Sequence, residues 1–125
     1  MPVIQIQALP QPADRDIPAM LMRLCRVVAD AVDLPPDYVS ATWQTIAPGR
    51  YVVGGEAVMT QPRTSHPVIV DLAAFEMNDR DKIRDLLRVV GRFLEDALGL
   101  PGNVFILFRN TRAGEVYDGG EVVGI

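Results

Sequence analysis

The sequence predicts an α+β fold built from two β-α-β repeats: a four-stranded mixed sheet with two helices on one face. Three observations predict it. First, the chain matches itself at an offset of 65 residues without a gap. Pro2-Val3-Ile4 falls on Pro67-Val68-Ile69, Asp14-Arg15-Asp16 on Asp79-Arg80-Asp81, and Gly54-Gly55-Glu56 on Gly119-Gly120-Glu121. Sixteen of the sixty aligned pairs are identical, and most sit at turns or element starts. Second, each copy reads strand, helix, strand in its hydrophobic period. Third, each helical stretch is long enough to cross over, so the two strands it joins should be parallel.

The first unit spans residues 2–58. Residues 2–9 (PVIQIQAL) alternate apolar and polar, the signature of a strand facing a core on one side. Pro10, Pro12 and Asp14 turn the chain. A helix starts near Asp16, with Pro18 in its first turn, where a missing N–H costs nothing. Met20, Leu21, Leu24, Cys25, Val28 and Val32 recur at helical spacing. Pro35-Pro36 ends the helix, residues 38–46 form a second strand, and Tyr51 to Val58 makes a short hairpin around Gly54-Gly55.

The second unit spans residues 67–123. Pro67 to Phe75 is more continuously apolar than its counterpart and predicts a more buried strand. Asn78 or Asp79 caps a helix from Arg80 to Leu98, and Gly99 stands where a left-handed cap belongs. Val104 to Phe108 is the fourth long strand, and Tyr117 to Val123 closes the chain. The polar stretch 59–66 joins the units. With both helices on one face, the other face must meet solvent or a partner. Trp43, Phe105 and Leu107 are its outward candidates, and their apolar area predicts self-association.

Composition narrows the function. At 125 residues the chain is one domain with room for a core. Its net charge is −4 and it has no Lys/Arg run, which argues against nucleic acid and anionic membrane surfaces. No stretch is long enough for a membrane span, and no signal pattern opens the chain, so a cytoplasmic protein is expected. One cysteine and one histidine allow no internal disulfide and no conventional His/Cys metal site. No cofactor is implied. His66 and Cys25 are given no role.

The plan resembles the tautomerase superfamily, whose members are built from β-α-β units with an amino-terminal catalytic proline. The residues that carry the resemblance are Pro2-Val3-Ile4, the Leu-Pro-Pro-Asp-Tyr-Val run at 34 to 39, Pro48-Gly49-Arg50-Tyr51 and Gly54-Gly55-Glu56. It covers nearly the whole chain and matches members in which two units are fused and three chains form a ring. It therefore implies a homotrimer and a small carboxylate substrate.

Departures limit the carry-over. A carboxylate-binding arginine of the family matches Pro12, with Arg15 one turn further on; a second matches Ser40. The aromatic of the family pocket matches Tyr51. The arginine pair of the dehalogenases and decarboxylases is replaced by Phe75-Glu76-Met77-Asn78, while Asp118 falls where cis-3-chloroacrylic acid dehalogenase places a water-activating glutamate.

Pro2 is the candidate catalytic residue. Removal of Met1, expected before a small residue, would expose a secondary amine with a reference pKa of roughly 7.7–8.0. Burial and nearby cations would lower it toward neutrality, where a base can take a proton α to a carbonyl. Pro67 at the equivalent place is an amide and inert, so proline also suits this strand start for geometric reasons. Arg15, Arg50, Tyr51, Ser40 and Asp118 are the candidate substrate-binding residues. The expected activity is keto-enol isomerisation of a small 2-oxo or enol acid. Two alternatives stand beside it. In one, Pro2 is the acid and Asp118 activates water for hydration or dehalogenation. In the other, a non-catalytic trimer binds a small ligand.

Overall fold

Two helix starts share one chemistry. Asp16 precedes α1 (Ile17–Ala31) and its carboxylate accepts from the Ala19 N–H at 3.0 Å. Asp79 precedes α2 (Arg80–Leu98) and accepts from the N–H groups of Asp81 and Lys82. Each satisfies donors that a helix start leaves open. In this computed structural model, which describes residues 1–124, those helices are the 65-residue repeat made solid.

The long strands are β1 (Val3–Ala8) and β2 (Ser40–Thr45). A short hairpin follows, of β3 (Val52–Val53) and β4 (Glu56–Ala57). Then come β5 (Val68–Phe75), β6 (Val104–Thr111) and a second hairpin of β7 (Tyr117–Asp118) and β8 (Glu121–Val122). The sheet order is β2-β1-β5-β6. β1 and β2 are parallel, as are β5 and β6, and the two repeats meet antiparallel along β1 and β5. The α+β architecture expected from the sequence is the one observed.

Strand alternation places the core. Ile4, Ile6 and Ala8 of β1 and Val68, Val70, Leu72 and Ala74 of β5 point under the helices and are buried. They meet Met20, Leu24 and Val28 of α1 and Leu86, Val90 and Leu94 of α2. Each large side chain so buried contributes roughly 1.5–3 kcal/mol.

Three expectations need correction. Trp43 does not face outward. It pairs in register with Ile6, so pleating puts it on the helix side, partly buried against the core beside Ala41. Phe105 and Leu107 do face the open side, 50% and 53% exposed. The strand read as 38–46 begins only at Ser40, because Pro36–Tyr38 is a 3-10 turn closed by Val39 N–H on the Pro36 carbonyl at 3.0 Å. The fourth long strand continues past Phe108 to Thr111.

The 59–66 stretch is polar yet firmly held. Asn103 donates to the carbonyls of Pro62 (2.8 Å) and Ser65 (3.0 Å). Gln61 accepts from the Leu9 N–H and donates to the His66 carbonyl. His66 is 1% exposed. Its Nε2 lies 2.8 Å from the Glu56 carbonyl, which can only accept, so Nε2 donates to it, and Nδ1 lies 3.1 Å from Ser65 Oγ. His66 is thus a structural clamp between the first hairpin and β5.

Two glycines, one inside α2 and one capping its end, respond oppositely to alanine. Gly99 has φ +66° and an added Cβ meets nothing within 4 Å, so the cost is purely conformational. Gly99→Ala is expected to destabilise by ~1–2 kcal/mol. Gly91 is interior to the helix, and its Cβ would touch the Ile106 side chain at an ordinary 3.5 Å. Gly91→Ala is expected to stabilise by ~0.5–1 kcal/mol. Urea unfolding of both variants checks the pair, and equal signs would contradict it.

Candidate active site

Three chain directions converge on Pro2. β1 starts there; α1 runs back against β1, so its C-terminal end returns; β5 is antiparallel to β1, so its last residues arrive as well. Pro2 is buried in the wall of a cavity of about 620 Å³, with residues 31–34 on one side and residues 74–79 on the other. Lys82 and Asp85 of α2 complete the rim.

The electrostatics of that cavity are acidic. Asp33, Glu76, Asp79 and Asp85 line it against one cationic side chain, Lys82. Two of the carboxylates have structural work. Glu76 accepts from the Ala113 N–H, and Asp79 caps α2. Both Asp33 (φ 55°) and Glu76 (φ 52°) are left-handed, so tight backbone turns set this rim.

On the other side of the strand start lies a smaller, mainly apolar hollow of about 180 Å³. Met1, Val3, Phe75, Val116 and Val123 line it, together with Asp118 from the second hairpin. The residues on either side of Pro2 therefore touch Asp118's surroundings. Burial pulls the amino group of Met1 below its ordinary 8.0, because the charged form is desolvated there. Ser40 is adjacent too: its N–H donates to the Pro2 carbonyl at 3.2 Å, and it pairs with Val3.

Arg15, Arg50 and Tyr51 lie at the opposite end of the sheet. β2 runs parallel to β1, so the turn that follows Thr45 leaves beyond Ala8, about 20 Å from the β1 start at ~3.3 Å per residue. Arg15 reaches across to donate to the Ala97 carbonyl at the end of α2. Arg50 is exposed. The Tyr51 hydroxyl donates to the Pro67 carbonyl at 2.7 Å, and its ring meets His66 edge-on with centroids 5.2 Å apart. One chain thus groups Pro2 with Ser40 and Asp118, and holds Arg15, Arg50 and Tyr51 apart from them. Sequence reasoning did not pick out Asp33 or Lys82. The signal was the direction of β5, which brings the start of α2 to Pro2.

Burial raises the Tyr51 pKa above its ordinary 10.0, so the folded chain favours the neutral phenol. The stabilisation that follows is complete below about pH 10 and is lost as pH rises through the higher folded value. Tyr51→Phe is expected to cost about 1 kcal/mol at neutral pH, by leaving the Pro67 carbonyl without its donor. The same variant should flatten alkaline unfolding above pH 10, which a pH series of urea melts would detect.

No family model and no curated protein matches the sequence. Solved structures do. A protein solved after inactivation by 2-oxo-3-pentynoate superimposes with a TM-score of 0.82 at 13% identity, over 98% of this chain and 95% of its own. A fused 4-OT solved as a symmetric trimer gives 0.81 at 15% identity, over 98% and 95%. A macrophage migration inhibitory factor-like protein from Entamoeba histolytica gives 0.70 at 16% identity, over 96% and 97%. At these identities the likeness is one of architecture, and over essentially its full length the chain has the tautomerase-superfamily fold.

Proposed function

We propose that the chain, once Met1 is removed, is a keto-enol isomerase that uses the Pro2 amine as general base on a small 2-oxo or enol acid. The observation that carries the reading is the placement of Pro2, buried at a strand start in the wall of a 620 Å³ cavity. The structural likeness to a protein inactivated by a 2-oxo acid and to a fused 4-OT supports it. In the first step the Pro2 nitrogen takes a proton from the enol hydroxyl or the α-carbon. It returns the proton to the other position, while a cation steadies the developing oxyanion.

The substrate's carboxylate needs a partner that the acidic rim does not offer beyond Lys82. Arg50 and Tyr51 of a neighbouring copy fit that role, since within one chain they lie at the opposite end of the sheet from Pro2. The trimers solved for fused 4-OT proteins support an assembly of this kind. The open sheet face, with exposed Phe105 and Leu107, is the surface proposed to bury itself in it.

A second reading draws on Asp118, whose hollow abuts Met1 and Val3. There Pro2 stays protonated as the acid and Asp118 activates water for hydration of an unsaturated or halogenated acid. The likeness to a member of the cis-3-chloroacrylic acid dehalogenase family, at a TM-score of 0.75, supports it. The protonation state of the Pro2 amine at neutral pH decides between the readings: a free base serves the first and an ammonium the second.

The test follows ketonisation of phenylenolpyruvate by ultraviolet absorbance, with protein shown by intact mass to begin at Pro2. Saturable turnover by the Pro2 form that rises with pH supports the base. No rate above buffer, with hydration of a halogenated acrylate instead, would move the assignment to the second reading. Inactivity toward both would leave a non-catalytic ligand-binding trimer.

A further inference from the structure

The repeat relates cavities as well as residues. A second cavity, of about 530 Å³, opens at the far end of the sheet. Under the 65-residue offset its wall residues Leu98 and Gly99 correspond to Asp33 and Leu34 of the Pro2 cavity, and Gln11 and Pro12 correspond to Glu76 and Met77. The two cavities occupy equivalent places in the two repeats. Their charge is opposite. The Pro2 cavity carries four carboxylates and one lysine, whereas the far cavity has no carboxylate and two arginines, Arg15 and Arg63.

We propose that this far cavity binds a small anion bearing a carboxylate or phosphate group, and binds it without turning it over. Arg15 is fixed in the wall by its bond to the Ala97 carbonyl, which leaves the rest of its five-donor fork available. Arg63 lies on the linker beside it, with the Thr60 hydroxyl and the Gln11 amide as neutral polar groups. Planar guanidinium forks match carboxylate and phosphate oxygens two at a time.

The end of α2 would ordinarily oppose an anion, because helix C-termini carry negative partial charge. Here three of the last four carbonyls are occupied: Ala97 by Arg15, Asp96 by the Gly99 N–H and Glu95 by the Leu100 N–H. Turnover is absent for a covalent reason. The strand that opens at this end begins with Pro67, whose nitrogen is an amide to His66 and has no basic lone pair. The proposal does not depend on any activity at Pro2.

Amide NMR titration of the full chain tests it, with inorganic phosphate and malonate as separate probes and ionic strength held constant with chloride. Saturable shifts are expected at Gly99, Leu100 and Gln61. Arg63 is exposed, and Arg63→Gln should weaken binding at least about tenfold without loss of the native spectrum. Arg15→Gln should weaken it further, but it also frees the end of α2, so the Arg63 variant decides. Tighter malonate would identify carboxylates as the ligand class, and tighter phosphate would identify phosphates. Shifts reproduced by chloride alone, shifts confined to residues 33 and 76–79, or unchanged binding by Arg63→Gln would each overturn the proposal.

Discussion

Protein that keeps Met1 should convert phenylenolpyruvate at least ~10²-fold more slowly than protein that begins at Pro2, the lower end of what a positioned base supplies. The cause is covalent. An acylated proline nitrogen has given its lone pair to the peptide bond and accepts no proton. The fold is expected to be kept in both forms, since the Pro2 carbonyl, the atom that accepts from the Ser40 N–H, is present in each. Pro67→Ala is the internal control. Pro67 occupies the same place in the second repeat, and its role in the hydrogen bond from Tyr51 is played by its carbonyl, which alanine retains. The rate of Pro67→Ala should match the parent within a factor of about two. Equal rates in the Met1 and Pro2 forms would remove the amine from the mechanism, whatever the chain's true substrate.

Leu72→Ala should be the most damaging single truncation, costing ~2–5 kcal/mol. Leu72 is fully buried on β5, the strand that joins the repeats, and it pairs with Ile4 on one side and Phe108 on the other. A cavity there would open within the core cluster to which both helices contribute. Against a total stability of roughly 5–15 kcal/mol, the loss would leave much of the protein near its unfolding threshold. Leu107→Ala, on the same sheet but its opposite face and 53% exposed, should cost a single chain under ~0.5 kcal/mol. Its effect should surface in assembly. Urea melts at several protein concentrations separate the two, because only the loss of a subunit contact makes the midpoint depend on concentration. A Leu107→Ala midpoint that shifts equally at every concentration would contradict a role for the open face in association.

What was legible in the sequence was what local chemistry decides. Asp79 as a cap and Gly99 as a left-handed stop need only their neighbours in the chain, and both stand where they were expected. The parallel pairing inside each repeat followed from helix length. Trp43 was misplaced because its strand alternates small and polar residues on both faces, so bulk alone was a poor guide. Register with Ile6 settles it, and register is a property of two strands. The 59–66 stretch reads as a polar linker by composition, and Asn103, far along the chain, supplies two of its hydrogen bonds. The candidate site was legible residue by residue but not as a group. Pro2 and Tyr51 belong to opposite ends of parallel strands, and whether they ever meet is a matter of how copies associate.

Joining two like units in one polypeptide has a stoichiometric consequence. Each chain carries two strands headed by proline, Pro2 and Pro67, but one polypeptide has one amino terminus. A reagent that alkylates a proline amine can therefore titrate a single equivalent per chain, however symmetric the assembly. If the Pro2 amine works as proposed, the second half of the molecule has no amine to keep in working order and is left to diverge in charge while it preserves the geometry of the first.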